Sequence, residues 1–490
     1  MKRLALLWLV AGCATPGPWP DAAKVVAAPP VTWVPAPVPG PLEPLPRTRP
    51  EAATRTLRNG LKVVVVEDHR ARLVRTRLFF SNGSATETDE RAGATYFALA
   101  LLGDRFDAHD ADGRPVVMQE KSARYLSMAR GWRLRFDVAP DVAWLGIDAH
   151  ARDTDAVLRE LDALGTKRRH GDESFQDRSQ AAVDALNEME LTDGTVLGQY
   201  LAQLAFGADH PYARSIYGTA ASLSRLGLEE IVERQAELLT PVGTTLLVAG
   251  DVQRDEVFRW AERSFGDWKA TPAAKAFVKP PQVTRRRGVV FLPRKPSRNT
   301  LVCLTRPLTD VPGTPAVAQL AVDVLGELRI SNTLREEFGL TYSVNTQVFE
   351  LRAARALSIC TRVRSTETAT ATRLMLEAFA SFGANPPTSD ELEHARAMLV
   401  SERETAQDDL EGIVEAWRQA VVRAQGAPST TEVAELRAVT LSQVAAAAKL
   451  LASRDAVQVI LSGEKATAEG TAQANGLGAL KVPTLQRVEE

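Results

Sequence analysis

The sequence predicts an α+β protein of two homologous lobes, each a mixed or antiparallel sheet flanked by helices. Three observations carry the prediction. At 490 residues the chain is too long for a single core. The order strand, strand, buried helix occurs near residue 60 and again near residue 290, which is the mark of a duplicated unit. Strands and helices do not alternate strictly, which argues against a doubly wound parallel sheet. Hydrophobic content of 45% and charged content of 24% are those of a globular chain. A net charge of -2 argues against a nucleic-acid surface, which needs a basic excess.

The first segment stands apart. Lys2 and Arg3 precede an apolar run over 4–10, followed by Val10-Ala11-Gly12-Cys13. So short a run reads as a signal peptide over 1–13 rather than a membrane span. It resembles the lipobox of bacterial lipoproteins, where Cys13 would be acylated and become the first mature residue. Ala14 stands where an inner-membrane retention signal places Asp, so the resemblance implies an outer-membrane lipoprotein. Residues 14–53 hold twelve prolines between Pro16 and Pro50, and predict an extended tether. After it come an N-terminal domain over 54–270, a linker over 271–287, a C-terminal domain over 288–480 and a tail over 481–490.

In the first domain, β-branched runs at 61–66 and 73–80 read as strands. Residues 92–102 are apolar enough for a buried helix. Longer helices follow over 173–190 and 197–206, then a buried strand at 244–248 and a helix to Phe265. Residues 270–287 have no apolar period, and Arg285, Arg286 and Arg287 there read as solvated. The pattern then restarts with strands at 288–292 and 300–304 and an apolar helix over 316–328. Cys303 and Cys360 lie in strand-like apolar runs. A disulfide and two buried thiols on neighbouring strands both fit them.

Several short motifs in a fixed order resemble the insulinase/pitrilysin-type metallopeptidases. They are Asn59-Gly60-Leu61, Gly83-Ser84, Arg91-Ala92-Gly93 before an apolar helix, and His210-Pro211-Tyr212 with Gly218. Pro241, Gly250-Asp251-Val252 and Phe265-Gly266-Asp267-Trp268 follow. In the second half the segment from Leu334 to Val344 resembles the family's Arg/Tyr segment, and Glu391 to Arg396 a later helix. The resemblance implies the two-lobed body of one insulinase-type half-clamshell.

The family's chemistry needs H-x-x-E-H on one helix and a later glutamate. Two histidines four apart grip one Zn²⁺, and the Glu takes a proton from its water. Aligned through Arg91-Ala92-Gly93, this chain has Tyr96, Leu99 and Ala100 at those places, and Ala185 where the later glutamate falls. Its six histidines (His69, His109, His150, His170, His210 and His394) include no pair within a helical turn. Without the metal, the pKa of the attacking water returns from about 7 towards about 15.7. That difference is roughly 12 kcal/mol. Hydrolysis by the family mechanism is thereby excluded for this chain alone. The turn holding Asp107, His109, Asp110 and Asp112 reads as solvated rather than as a cation loop. No G-x-S-x-G elbow is present.

Arg335 and Tyr342 remain. In the family this pair acts across a closed chamber from the zinc, holding the substrate and donating to an oxygen that gains charge. The resemblance therefore implies a non-catalytic subunit of a heterodimeric zinc metallopeptidase. It would have no cofactor of its own, with zinc only in a related partner subunit, a peptide substrate, and a lipid anchor on Cys13 at the outer membrane. A stand-alone peptide-binding or scaffold lipoprotein is the alternative, and an active metalloendopeptidase with an unrecognised metal site is a third.

Overall fold

The computed structural model describes residues 51–104, 123–166, 194–269, 278–281, 288–293, 297–453 and 456–482, with Gln176 and Gln180. Cys13, residues 14–50 of the tether, Asp107 to Asp112, Ala185, Arg285 to Arg287 and residues 483–490 lie outside the described residues. So does the helix expected over 173–190, those two glutamines apart. Residues 49–490 form one compact unit.

Two sheets organise this unit. The first contains β1 (Ala52–Thr56), β2 (Lys62–Glu67), β3 (Leu73–Phe80), β4 (Arg133–Val138), β5 (Ala143–His150) and β6 (Thr244–Gly250), in the order β1-β2-β6-β3-β5-β4. The second contains β7 (Gly288–Pro293), β8 (Asn299–Pro307), β9 (Val344–Glu350), β10 (Arg355–Arg364) and β11 (Gln458–Gly463), in the order β7-β11-β8-β10-β9. With β1 set aside the two orders are the same. In each, the first and last strands pair in parallel and every other neighbour is antiparallel. The duplication read from the sequence is therefore topological.

Helices α1 (Ala94–Ala100), α2 (Thr154–Thr166), α3 (Gly194–Phe206) and α4 (Arg254–Phe265) belong to the first lobe. Helices α5 (Pro315–Asp323) and α6 (Leu410–Val422) belong to the second. The valine run of β2 and the fully buried β6 are apolar on both faces because both faces of the sheet are covered. One face of the first sheet packs on α2 and α4 of its own lobe, through Val63, Val65, Leu78, Leu161, Val257 and Phe265. The other face, with Val64, Val66, Phe79, Leu247 and Ala249, is covered from the second lobe. There α6 supplies Ile413, Val414, Trp417 and Val422. Lys62 also lies over the Trp417 ring, 5.3 Å from its centroid. The converse holds for the second sheet. Its face of Val290, Leu292, Leu301, Cys303 and Ile460 is covered by Tyr200 and Leu201 of α3. Each lobe lends a helix to the other.

Two expectations need correction. The tether ends before residue 53, because Ala52 and Ala53 already pair with Val66 and Val65. The apolar helix of the second lobe, α5, does not stop at 328. It continues through wide turns over Val324–Ile330 and Asn332–Glu337. Gly326 lets this stretch lie close against β9, since a Cβ there would lie 2.3 Å from the Thr346 hydroxyl. Beyond Gly339 the chain does not pass directly into strand, since β9 begins only at Val344. Leu340 N–H instead closes the helix end on Leu334 O at 2.7 Å, beside Gly339 at φ 60°. Cys303 and Cys360 face each other on β8 and β10 and form a disulfide.

Stability should respond at two places. Trp417→Ala removes the aromatic anchor of the borrowed helix α6, and a loss of about 3–5 kcal/mol is expected in urea unfolding, with both lobes melting together. Asp323 is buried beside Glu327 and Glu402, and burial first, then those carboxylates, push its pKa up from 3.8 to about 7. A carboxyl raised in the folded state binds its proton better there than in the unfolded chain. Its stabilisation is complete below the unfolded value and is lost as pH climbs to about 7. Asp323→Asn is expected to match the parent near pH 4 and to exceed it by a few kcal/mol at pH 8, read from denaturation at both pH values.

Candidate functional site

The apolar helix of the first lobe, α1, is set by the turn that precedes it. Gly93 takes φ 94°, and a Cβ there would lie 2.9 Å from the backbone of Tyr217 and Gly218. This explains both glycines of the motif: the two backbones touch. The Glu87 carboxylate accepts N–H groups of Gly93 and Thr95 at 3.0 and 2.6 Å, capping the helix start. Burial pushes the Glu87 carboxyl up, against the pull of those donors. Buried Arg234 ties Thr95 Oγ1, Thr86 Oγ1 and Gly83 O together at 2.6–3.1 Å. The motif residues thus hold one helix in one place.

What that helix presents is apolar. Leu99 and Ala100 are buried in the core. Tyr96 is half-buried, its ring 5.5 Å from Phe136 on β4, 4.8 Å from Tyr217 and 5.6 Å from Phe97. An aromatic cluster of Tyr96, Phe97, Phe136 and Tyr217 therefore occupies the outer side of this helix. Among the described residues no group of three His, Cys, Asp or Glu side chains is placed to hold a metal ion. Beside the cluster runs β4, at the edge of the sheet. Leu134 and Phe136 are half-buried, alternating with exposed Arg133, Arg135 and Asp137.

Arg335 and Tyr342 flank the Gly339 turn in the second lobe. Arg335 is 56% exposed and its Nε reaches Glu336 Oε1 at 3.1 Å. Tyr342 is 91% exposed and precedes β9 rather than belonging to it. Neither side chain is packed by this chain's own core.

Sequence reasoning missed a buried polar network between the lobes. Tyr212 Oη donates to Asp141 Oδ1 at 3.0 Å and accepts Ala353 N–H at 2.9 Å. Asp141 Oδ2 accepts Arg352 N–H at 2.7 Å. The Arg352 guanidinium donates to Ser81 O, Asp141 O and Val422 O at 3.0–3.2 Å. His210 accepts Tyr212 N–H on Nδ1 and meets Lys279 O through Nε2 at 2.9 Å. The His210-Pro211-Tyr212 motif is therefore a clasp on the β9–β10 turn. Burial raises both the Asp141 carboxyl and the Tyr212 hydroxyl. Only His210 and Tyr212, inside their motif, signalled this from sequence; Asp141 and Arg352 carried no local mark.

Residues 225–399 match the family described as the peptidase M16 inactive domain. The chain is 26% identical to cytochrome b-c1 complex subunit 1, mitochondrial, of Caenorhabditis elegans, over 44% of each chain. It is 25% identical to an uncharacterized zinc protease of Mycobacterium leprae over 371 residues, 70% of this chain and 76% of that one. Among solved structures, a peptidase M16 inactive domain from Pseudomonas fluorescens superposes with a TM-score of 0.72 at 18% identity. That match covers 88% of this chain and 99% of that one. The first half of the periplasmic protease PqqL from Escherichia coli gives 0.69 at 13% identity, covering 88% and 98%. Against the whole of PqqL, with a TM-score of 0.69 at 12% identity, the match covers 90% of this chain but 52% of that one.

The clasp is testable. Tyr212→Phe leaves Asp141 Oδ1 and Ala353 N–H unpaired inside the protein, and a destabilisation of about 1–3 kcal/mol is expected in urea unfolding.

Proposed function

We infer, from a chain that resembles the M16 peptidases in fold and motif order and has Tyr96, Leu99 and Ala100 where that family's zinc motif aligns, that this protein is the non-catalytic subunit of a two-chain zinc peptidase. The observation that carries the reading is a contrast within one molecule. At the positions that align with the family's zinc motif, Leu99 and Ala100 are buried and Tyr96 is half-buried in an aromatic cluster, while Arg335 and Tyr342 stand in solvent. A related partner subunit bears the zinc. Arg335 and Tyr342 reach across to substrate bound there and donate hydrogen bonds to the carbonyl oxygen as it gains charge. The fold's correspondence to about half of the PqqL chain supports a peptidase-like second half.

The substrate is an extended peptide. The outer edge of β4 offers backbone groups for an added strand, with Phe136 and Tyr96 beside it. That same arrangement favours a second reading, a stand-alone peptide-binding lipoprotein, in which the aromatic cluster is the whole site. For localisation, a lipid on Cys13 holds the protein at the outer membrane, facing the periplasm or the surface. The Cys303–Cys360 disulfide agrees with an oxidising compartment.

Reconstitution with the zinc-bearing partner separates these readings. Arg335→Ala and Tyr342→Phe are expected to lower peptide turnover by roughly a hundredfold without weakening assembly. Unchanged turnover in both variants removes the Arg/Tyr role. Stoichiometric zinc in this chain purified alone overturns the non-catalytic assignment altogether.

A further inference from the structure

We propose that a cleft on the first lobe, between the start of β4 and the first two turns of α2, binds a phosphate group. It shares no residue with α1, Arg335 or Tyr342. Its volume is about 600 Å³, and Arg130, Trp132, Arg152, Asp153, Arg159 and Glu160 line it. Trp132 is the fixed part. It is buried in the lobe's core, and its indole N–H donates to Asp153 Oδ2 at 3.1 Å. Gly131, at φ 73°, turns the chain so that the Arg130 guanidinium lies over the Trp132 ring, 4.8 Å from its centroid. A guanidinium held by its face keeps its in-plane N–H donors available to an acceptor.

The other two arginines are loosely engaged. Arg152 reaches Asp153 only at 3.7 Å, and that carboxylate already serves Trp132. Arg159 reaches Asp155 at 3.4 Å, a carboxylate that Arg263 also holds. Arg130 has no ion-pair partner among the described residues. Three guanidiniums with donors to spare therefore converge on one cavity that contains two carboxylates. Three forks lining one cavity suit a tetrahedral group with several acceptor oxygens, whereas a planar carboxylate satisfies one or two. The cavity has room for a substituent beyond the phosphate itself. Two sources share this chemistry: a free phosphate, and the phosphodiester of a lipid headgroup.

The test is calorimetric titration of the full chain at low ionic strength. One arm uses inorganic phosphate and the other glycerophosphoglycerol, a soluble headgroup diester. Saturable one-site binding is expected in at least one arm, weakened about tenfold in Arg130→Gln and in Arg159→Gln. Circular dichroism confirms that both variants remain folded. Binding of phosphate alone assigns a soluble ligand, and binding of the diester assigns a lipid headgroup. Absence of saturation in both arms up to about 10 mM overturns the site. Equal affinity in the parent and both arginine variants overturns it as well.

Discussion

The structure depends on a mutual loan of apolar surface. Neither sheet has enough helices in its own lobe to cover both faces. The first is closed by Ile413, Val414 and Trp417 from the second lobe, and the second by Tyr200 and Leu201 from the first. Exposing either face would return several large side chains to water, at roughly 1.5–3 kcal/mol each. The lobes therefore fold as one body despite their separate sheets. The Tyr212–Asp141–Arg352 clasp adds direction to that apolar bond, since its hydrogen bonds form in one register only. A duplicated unit is thereby held as a single half-shell.

That rigidity gives meaning to the altered α1. The helix starts at Gly93, meets Gly218, and is capped by Glu87. A bare His-Glu-His set there would leave buried polar groups without a metal to satisfy them, at about 1–3 kcal/mol apiece. Tyr96, Leu99 and Ala100 remove that cost by joining the apolar packing. The motif residues have a use in packing alone, because they hold α1 against β4 and the Tyr217 turn.

Much of the fold was legible in the chain. The valine run of β2, the alternation of β3, and the restart of the pattern at Gly288 identify the duplication, because strands covered on both faces carry long apolar runs. The edge strand β4 was readable in principle from Arg133-Leu134-Arg135-Phe136, yet its charges disguise it as a surface segment. The second-lobe helix overran its expected end because apolar periodicity cannot report the widened turns beyond Asp323. The start of β9 at Val344 is not marked locally either, since Tyr342, Ser343 and Val344 together read as strand when only local propensity is weighed. The disulfide needed the register of β8 against β10, which is a tertiary fact. The clasp needed three distant segments at once.

Tyr342 shows how these constraints combine. A tyrosine almost wholly in solvent contributes little to its own fold, and an exposed side chain ordinarily wanders. Its backbone, however, is anchored on every side. Thr341 Oγ1 bonds Arg362 O and meets Thr361 Oγ1 on β10. Two residues later β9 begins, paired along its length with β10. The disulfide joins β10 to β8, and the β9–β10 turn is clasped to the first lobe through Arg352. A side chain meant to meet a developing charge on another molecule must be presented without being buried, and must not reorganise when the charge appears. A mobile ring on a fixed base reduces that reorganisation to one or two torsions. In the proposed pairing this is the physical use of a framework held rigid around an exposed Tyr342.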